Sequence, residues 1–399
     1  MINLLKNVSL FLLIFGVIND DFVVDRVAGE NALKAIFAFF LLTHGNEILK
    51  AFMKPKNTAM KFFYLFFFTL VAVAFIDVIF GYVELMKAIF VLLPIVVVFL
   101  YVSYVDDFEK LLYFLWLSIV FSAILAVFSD PLTPWTFRKT GGTGDPNEFA
   151  AHLLAGMFIT IYLYLKNKNL FFILGSMPLF FYTLLYAGSK SSFLTLAALT
   201  VLILFTKFSD FLKKMFSFKS LLALLVLGIG LSYFNVTQIT AVKGLQERAQ
   251  SAGTAKTRFV SWNAGVRMAQ DNILTGVGIE QYEKNVKGYA TDFIAKGSYA
   301  PHNFLIKVLG EVGFFPFITL ILFLIVLFYT DYRKIAQSDY FWIYITAASV
   351  VLMGLTLSMS YEKYFWLFLG LLSHVKLVLF VEEVEEEEEY LYEDNAYLT

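Results

Sequence analysis

The sequence predicts an all-α, polytopic integral membrane protein, and three observations carry that expectation. Of the 399 residues, 59% are hydrophobic and only 16% are charged, against roughly a quarter charged in a soluble domain. The apolar residues fall in long blocks rather than alternating, which argues against an outer-membrane barrel. Residues 88–105, 111–129 and 312–330 contain no charged side chain, and each approaches the ~20 residues an α-helix needs to cross the hydrocarbon. Helices are then obligatory, because lipid offers no partner to an open backbone.

Taken in chain order, the expected spans are 4–18, 32–49, 62–81, 86–105, 110–129, 148–165, 169–187, 191–207, 219–236, 303–330, 340–359 and 363–381, about 12 in all. The first follows a lone Lys6 and runs into Asn19-Asp20-Asp21 with no small-residue cleavage site, so it reads as a retained helix rather than a signal peptide. No internal repeat is visible.

Lysine and arginine cluster at alternate connections. Lys50, Lys54, Lys56 and Lys61, and again Lys207, Lys213, Lys214 and Lys219, mark one side, which the positive-inside rule makes cytoplasmic. The opposite side carries fewer in its short connections. Both termini are therefore expected inside, with residues 1–381 as one transmembrane domain, a large outer (periplasmic) loop at 237–302 and an acidic cytoplasmic tail at 382–399. The run Glu385 to Glu389 repels itself, and this tail is expected to be solvated and disordered.

Composition excludes several chemistries. With no cysteine, neither disulfides nor thiolate ligands and nucleophiles are available. A formal net charge of -1 argues against a nucleic-acid partner. The four histidines His44, His152, His302 and His374 lack metal-ligand spacing, so no metal is expected. His44, His152 and His374 fall inside spans, where a hydrogen-bonded structural histidine is the default. Thr275-Gly276-Val277-Gly278 follows no strand and does not complete GxGxxG, so no nucleotide cofactor is expected.

Within the long loop, Phe259, Trp262, Val266 and Ala269 recur at helical spacing beside Arg258 and Arg267. Such a helix lies either in the membrane interface or packed on the outer mouth of the bundle. His302 follows Pro301 where the loop meets the next span, and proline suits a first helical turn. A helix N-terminus disfavours an imidazolium, so His302 is expected neutral there, as a general base or as a structural group at the helix end. Arg138, Lys190 and Arg258 are cations on that same side. Singly each reads as a lipid-headgroup anchor; grouped with His302 they point to an anionic substrate.

Four stretches resemble the O-antigen ligase and O-antigen polymerase superfamily of membrane glycosyltransferases. Gly144-Asp145-Pro146-Asn147 with Phe149-Ala150 is similar to the family's Pro-Asn segment opening a span. Gly188-Ser189-Lys190-Ser191-Ser192 resembles its Ser-Arg-Ser/Thr segment. Arg258 with Trp262, then Gly276 and Gly278, resembles the loop segment, and His302-Asn303 with Gly313 resembles the ligase pattern. Two positions depart. Lys190 replaces the usual arginine, keeping charge but losing the planar fork, and Pro316 stands where the ligase pattern prefers Gly, Thr or Tyr.

The resemblance implies a GT-C-like fold in the bacterial inner membrane and a part in lipopolysaccharide or surface-polysaccharide assembly. It implies transfer of a glycan from a polyprenyl (undecaprenyl) pyrophosphate donor to an acceptor hydroxyl on the outer face, by a metal-independent, inverting glycosyltransferase without cofactor. The acceptor is lipid A-core for a ligase, or a lipid-linked glycan repeat for a polymerase. His302 is the implied catalytic base, with Lys190, Arg258, Arg138, Asn147 and Asn303 at the substrates. Outside this class stands a secondary transporter or lipid flippase, kept open by Lys307 and Glu311 inside the expected span 303–330.

Overall fold

The computed structural model describes residues 2–25, 29–53, 57–130, 138–215, 253–290 and 299–396. Among these residues every regular element is a helix. The helices are α1 (Ile2–Ile18), α2 (Asp20–Val23), α3 (Glu30–Met53), α4 (Thr58–Ile79), α5 (Leu85–Ser103), α6 (Phe108–Phe128), α7 (Pro146–Asn167) and α8 (Leu170–Ala187). They continue as α9 (Lys190–Met215), α10 (Gly253–Asp271), α11 (Tyr282–Tyr289), α12 (Phe304–Val312), α13 (Phe314–Tyr329), α14 (Tyr332–Gln337), α15 (Phe341–Gly354) and α16 (Lys363–Ala396). Eight are long and apolar enough to cross a membrane, and α1, α13 and α15 are shorter apolar helices. The protein is thus an all-helical, multi-pass membrane protein. The expected span 219–236 lies outside the described residues, as do residues 237–252 and 291–298 of the loop and Arg26.

Helix starts follow local capping chemistry. Asn57, Asp107 and Asn169 each accept a backbone N–H of the first turn, from Met60 (2.8 Å), Lys110 (3.0 Å) and Phe171 (3.0 Å) respectively, satisfying donors the helix cannot pair internally. Between helices in lipid, packing and hydrogen bonds rather than water exclusion hold the bundle. The core is built on α16, which packs against α5, α15 and α1. Trp366 is fully buried, stacked on Phe66 at 5.5 Å and edge-on to Phe63 at 5.8 Å, with Phe99 and Phe323 completing the group. A Cβ at Gly370 would lie 2.9 Å from Val102 Cβ, so glycine here lets α16 press onto α5.

Three expectations are corrected. The span 303–330 is broken into α12 and α13 at Gly313, whose φ of 77° is a left-handed-side conformation that side chains rarely adopt. The chain 273–275 crosses there, 2.8–2.9 Å from where a Cβ would stand. Pro316 falls in the first turn of α13, where its missing N–H leaves nothing unpaired.

The acidic run is also not disordered, since α16 continues as helix to Ala396. Glutamate is a good helix former, and propagation from an established helix avoids the nucleation cost. Finally, His44 and His374 are hydrogen-bonded, to Thr43 at 2.9 Å and to the Ser103 carbonyl at 3.2 Å, but the ring nitrogens of buried His152 have no partner. That ring is packed edge-on to Tyr364 instead.

Candidate functional site

Asp145, at the end of the loop 138–146, and Glu283, just after the loop 272–282, are both within electrostatic reach of His302 in the loop 299–303. Asp145 and Pro146 open α7 by a familiar pairing. The Asp145 carboxylate accepts the N–H groups of Asn147 (2.5 Å) and Glu148 (3.3 Å), while proline occupies the first helical position. Upstream, Gly142 and Gly144 lie against the side chains of Asn19 and Asp21, with no room for a Cβ. The Gly142 carbonyl accepts Phe22 N–H at 3.1 Å, fastening this loop to α2.

Arg138 joins two helix ends. Its Nη2 donates to Asn147 Oδ1 and its Nε to the Ala187 carbonyl, both at 2.9 Å. Lys139 N–H donates to the Tyr186 carbonyl at 3.0 Å. The 138–139 segment therefore lies on the last turn of α8, which Gly188 terminates in a left-handed conformation. Lys190, two residues on, opens α9. It is half-buried, and its ammonium has no hydrogen-bond or ion-pair partner among the described residues.

The sequence places His302 in a first helical turn; the structure moves it. The cap is Asn303, whose Oδ1 accepts Leu305 N–H (3.0 Å) and Ile306 N–H (3.2 Å), so α12 begins at Phe304 and His302 precedes the cap. His302 takes a φ of 46°, uncommon for a side chain of its size, and its N–H donates to Ser358 Oγ at 2.9 Å. Asn303, expected at the substrate, thus has its carbonyl oxygen engaged in the cap.

Around His302 the charges are mixed. Burial pushes the imidazole pKa below its usual 6.5, and the Arg258 guanidinium pushes it further the same way, while Asp145 and Glu283 oppose them. Neutral imidazole is the form this setting favours, and the ring nitrogens make no hydrogen bond among the described residues. Arg258 is half-buried in the first part of α10. One turn on, Trp262 Nε1 donates to the Pro301 carbonyl at 2.7 Å.

The apolar face of α10 is not the stripe the sequence suggests. Val260, Ala264 and Met268 are buried against Tyr282 and Val286, whereas Phe259 stays 59% exposed. The helix is packed on the bundle, with Gly265 and Gly310 allowing α10 and α12 to cross closely. Main-chain bonds from Val277 to Gly310 (3.0 Å) and Gly278 to Glu311 (2.9 Å) lace the following loop to α12. Glu311 Oε1 accepts Tyr282 N–H at 3.0 Å, so Glu311 fastens this loop.

The structure therefore brings together Arg138 with Asn147, and His302 with Arg258 and with Asp145, the residue that caps Asn147's helix. Lys190 opens the helix that follows the α8 end held by Arg138. Sequence reading missed Asp145, Glu283 and Ser358 as neighbours of His302. The Asp-Pro cap signature could have flagged Asp145; nothing local marks Ser358. It also missed a carboxylate group beside the site, Asp20, Asp21, Glu148 and Glu362, within electrostatic reach of one another. Burial first, and Glu362 next, raise the Asp20 pKa to about 6. Among the described residues no group of three His, Asp or Glu is placed to hold a metal ion.

Residues 175–324 match the family model described as O-antigen ligase. The match contains Lys190, Arg258, Trp262, Gly276, Gly278, His302, Asn303 and Gly313, so the resemblance read from these residues is borne out there. The 138–150 stretch precedes it. No curated protein matches the chain.

Proposed function

From an O-antigen ligase-type region set in a multi-pass membrane protein, we propose that this chain transfers a glycan from a polyprenyl pyrophosphate to an acceptor hydroxyl. The reaction takes place on the outer face of the inner membrane, with both termini inside. The observation that carries this reading is the setting of His302. Its backbone is held by Ser358 and tied through Pro301 to Trp262, and its imidazole is kept neutral beside the Arg258 guanidinium.

The steps follow from those groups. The acceptor oxygen attacks the anomeric carbon as its proton passes to a neutral His302 ring nitrogen. The bond from that carbon to the pyrophosphate oxygen breaks, and Arg258 and Lys190 stabilise the charge developing on the leaving group. Pyrophosphate is a weak base, so no general acid is required, and one displacement inverts the anomeric configuration. Asp145 stabilises the imidazolium that forms. Arg138 and Asn147 set the end of α7 against the end of α8, and so place Lys190.

A ligase with lipid A-core as acceptor is the reading the His-Asn and glycine pattern favours. Pro316 favours the second reading, a polymerase extending a lipid-linked repeat. A transporter is disfavoured, because Lys307 and Glu311 lie in short α12 beside the loops and not mid-span; Lys307 stands over the Tyr361 ring at 5.0 Å. The test is to incubate purified protein with polyprenyl-pyrophosphate glycan and each acceptor, with and without chelator. Glycan transfer that survives chelation is expected, and the productive acceptor separates ligase from polymerase. No transfer to either acceptor would sink the proposal.

A further inference from the structure

Five carboxylates from three stretches of chain are electrostatic neighbours, and through Asp145 they reach His302. Asp20 and Asp21 come from α2, Asp145 and Glu148 from the start of α7, and Glu362 from the connection between α15 and α16. Backbone contacts bring those stretches together. The Asp21 carboxylate lies against Gly144, where no Cβ would fit, and the Gly142 carbonyl accepts Phe22 N–H. Ser358, which accepts the His302 N–H, lies four residues before Glu362 in the same connection. Glu148 and Glu362 are set deep among other residues, yet each keeps part of its surface open, as side chains on the floor of a cleft do.

The group carries more negative charge than its surroundings answer. The charges that act most strongly on Glu148 are Glu362, Asp145, Asp20 and Asp21, all of its own sign. Lys307 and Lys363 oppose Glu362, and Lys363 opposes Asp20, but the Lys307 ammonium is already seated over the Tyr361 ring at 5.0 Å. Burial first and Glu362 next hold the Asp20 pKa at about 6, and burial raises that of Glu362 against the pull of both lysines. Facing the same group is Tyr364, only 3% exposed. Its hydroxyl makes no hydrogen bond among the described residues and lies within electrostatic reach of Glu148, Glu362, Asp20 and Asp145. Buried hydroxyls are ordinarily paired, so this one calls for a partner from outside the chain.

A metal ion needs several oxygens at about 2.0–2.6 Å, and among the described residues no three carboxylates or histidines are placed to hold one. An ammonium asks less, since it donates three hydrogen bonds of about 2.8 Å to acceptors spaced more widely. We propose that this cleft binds the ammonium of an amino sugar in the acceptor glycan, with Glu148 and Glu362 accepting from the nitrogen and the Tyr364 hydroxyl meeting a neighbouring sugar oxygen. The acceptor assignment rests on the proposed transfer reaction, in which His302 takes the proton of the attacking hydroxyl; the preference for a cation rests on the carboxylates alone. The same division of charge sorts the two substrates. In that reaction Arg258 and Lys190 meet the donor pyrophosphate, and the carboxylates repel it from the acceptor side.

Titration of the full chain in phosphatidylcholine nanodiscs with a glucosamine disaccharide, read by saturation-transfer NMR, tests this without any transfer step. The N-acetylated disaccharide keeps the rings and loses the charge, and is expected to bind about tenfold more weakly, the worth of a charge-assisted hydrogen bond. Glu148→Gln and Glu362→Gln should each weaken the amino disaccharide about tenfold while raising the melting temperature, because each relieves like charge. Tyr364→Phe removes only an unpartnered hydroxyl, so it should keep the fold and weaken binding about fivefold. Glu84→Gln, at an exposed carboxylate just before α5, should change nothing. Binding should also fade from about pH 7 to about pH 5, as Asp20 takes up its proton in the face of Glu362, Asp21 and Lys363. Equal binding of the two disaccharides or of neither, binding indifferent to both Glu148→Gln and Tyr364→Phe, or calcium taken up by the cleft instead would overturn the proposal, whatever the transfer assay shows.

Discussion

The Trp262 indole donates to the carbonyl oxygen of Pro301 at 2.7 Å, so the loop helix α10 holds the residue that immediately precedes His302. Arg258 stands one turn before Trp262 on that helix. One rigid element thus sets both the proposed base and the proposed leaving-group cation. Trp262→Phe keeps the ring and removes the donor, so it should lower turnover about tenfold by loosening His302, with thermal stability nearly unchanged. Turnover and melting temperature of the purified variant check this, and unaltered turnover would show that the tie does not position the base.

His302→Ala removes the ring that takes the acceptor proton. Transfer should fall by about a hundredfold or more, the usual range for a general base. The only hydrogen bond His302 makes among the described residues is from its backbone N–H, so folding should persist. Single-turnover rates at matched expression decide the point, and full activity would remove His302 from the mechanism.

The pH profile carries a sign that can be read from the charges. The neutral imidazole is the working form, so turnover should be level above the His302 pKa and fall as pH drops through it. That pKa is held below 6.5 by burial first and by Arg258 next. Arg258→Gln removes one lowering charge and should move the acid limb to higher pH, besides weakening donor use. Asp145→Asn removes a raising charge and should move the limb the other way. An acid limb that stays put in both variants would assign it to another group.

Lys190 stands where the family pattern that this segment resembles has arginine. If its ammonium meets the pyrophosphate, Lys190→Arg keeps most activity, because charge persists and a planar fork suits phosphate. Lys190→Gln should then lose most of it. Donor turnover by the two variants is the measurement, and equal activity would reduce Lys190 to a headgroup anchor.

Gly276 has a φ of 65°, and a Cβ there would run into the Glu311 backbone. Gly276→Ala should therefore cost about 1–3 kcal/mol and loosen the loop laced to α12. Limited proteolysis should show faster cleavage within 253–290. An unchanged digestion pattern and melting temperature would mean that the loop shifts to accept the methyl group.

The sequence alone determined the helical membrane architecture, because a long uncharged apolar run in lipid has no other way to pair its backbone. It also located most helices, and the start of α7 was legible in Asp145-Pro146. His302, Arg258 and Lys190 were singled out by charge, by position near loop ends and by resemblance. Other features were decided only in three dimensions. The break at Gly313 depends on the chain 273–275 passing beside it, and the buried face of α10 depends on Tyr282 and Val286 lying beneath. The low pKa of His302 comes from burial and from Arg258, 44 residues away in sequence. Local periodicity reports whether a residue prefers lipid, protein or water; it does not report which distant charge or backbone will stand against it, and that is what sets the chemistry of this site.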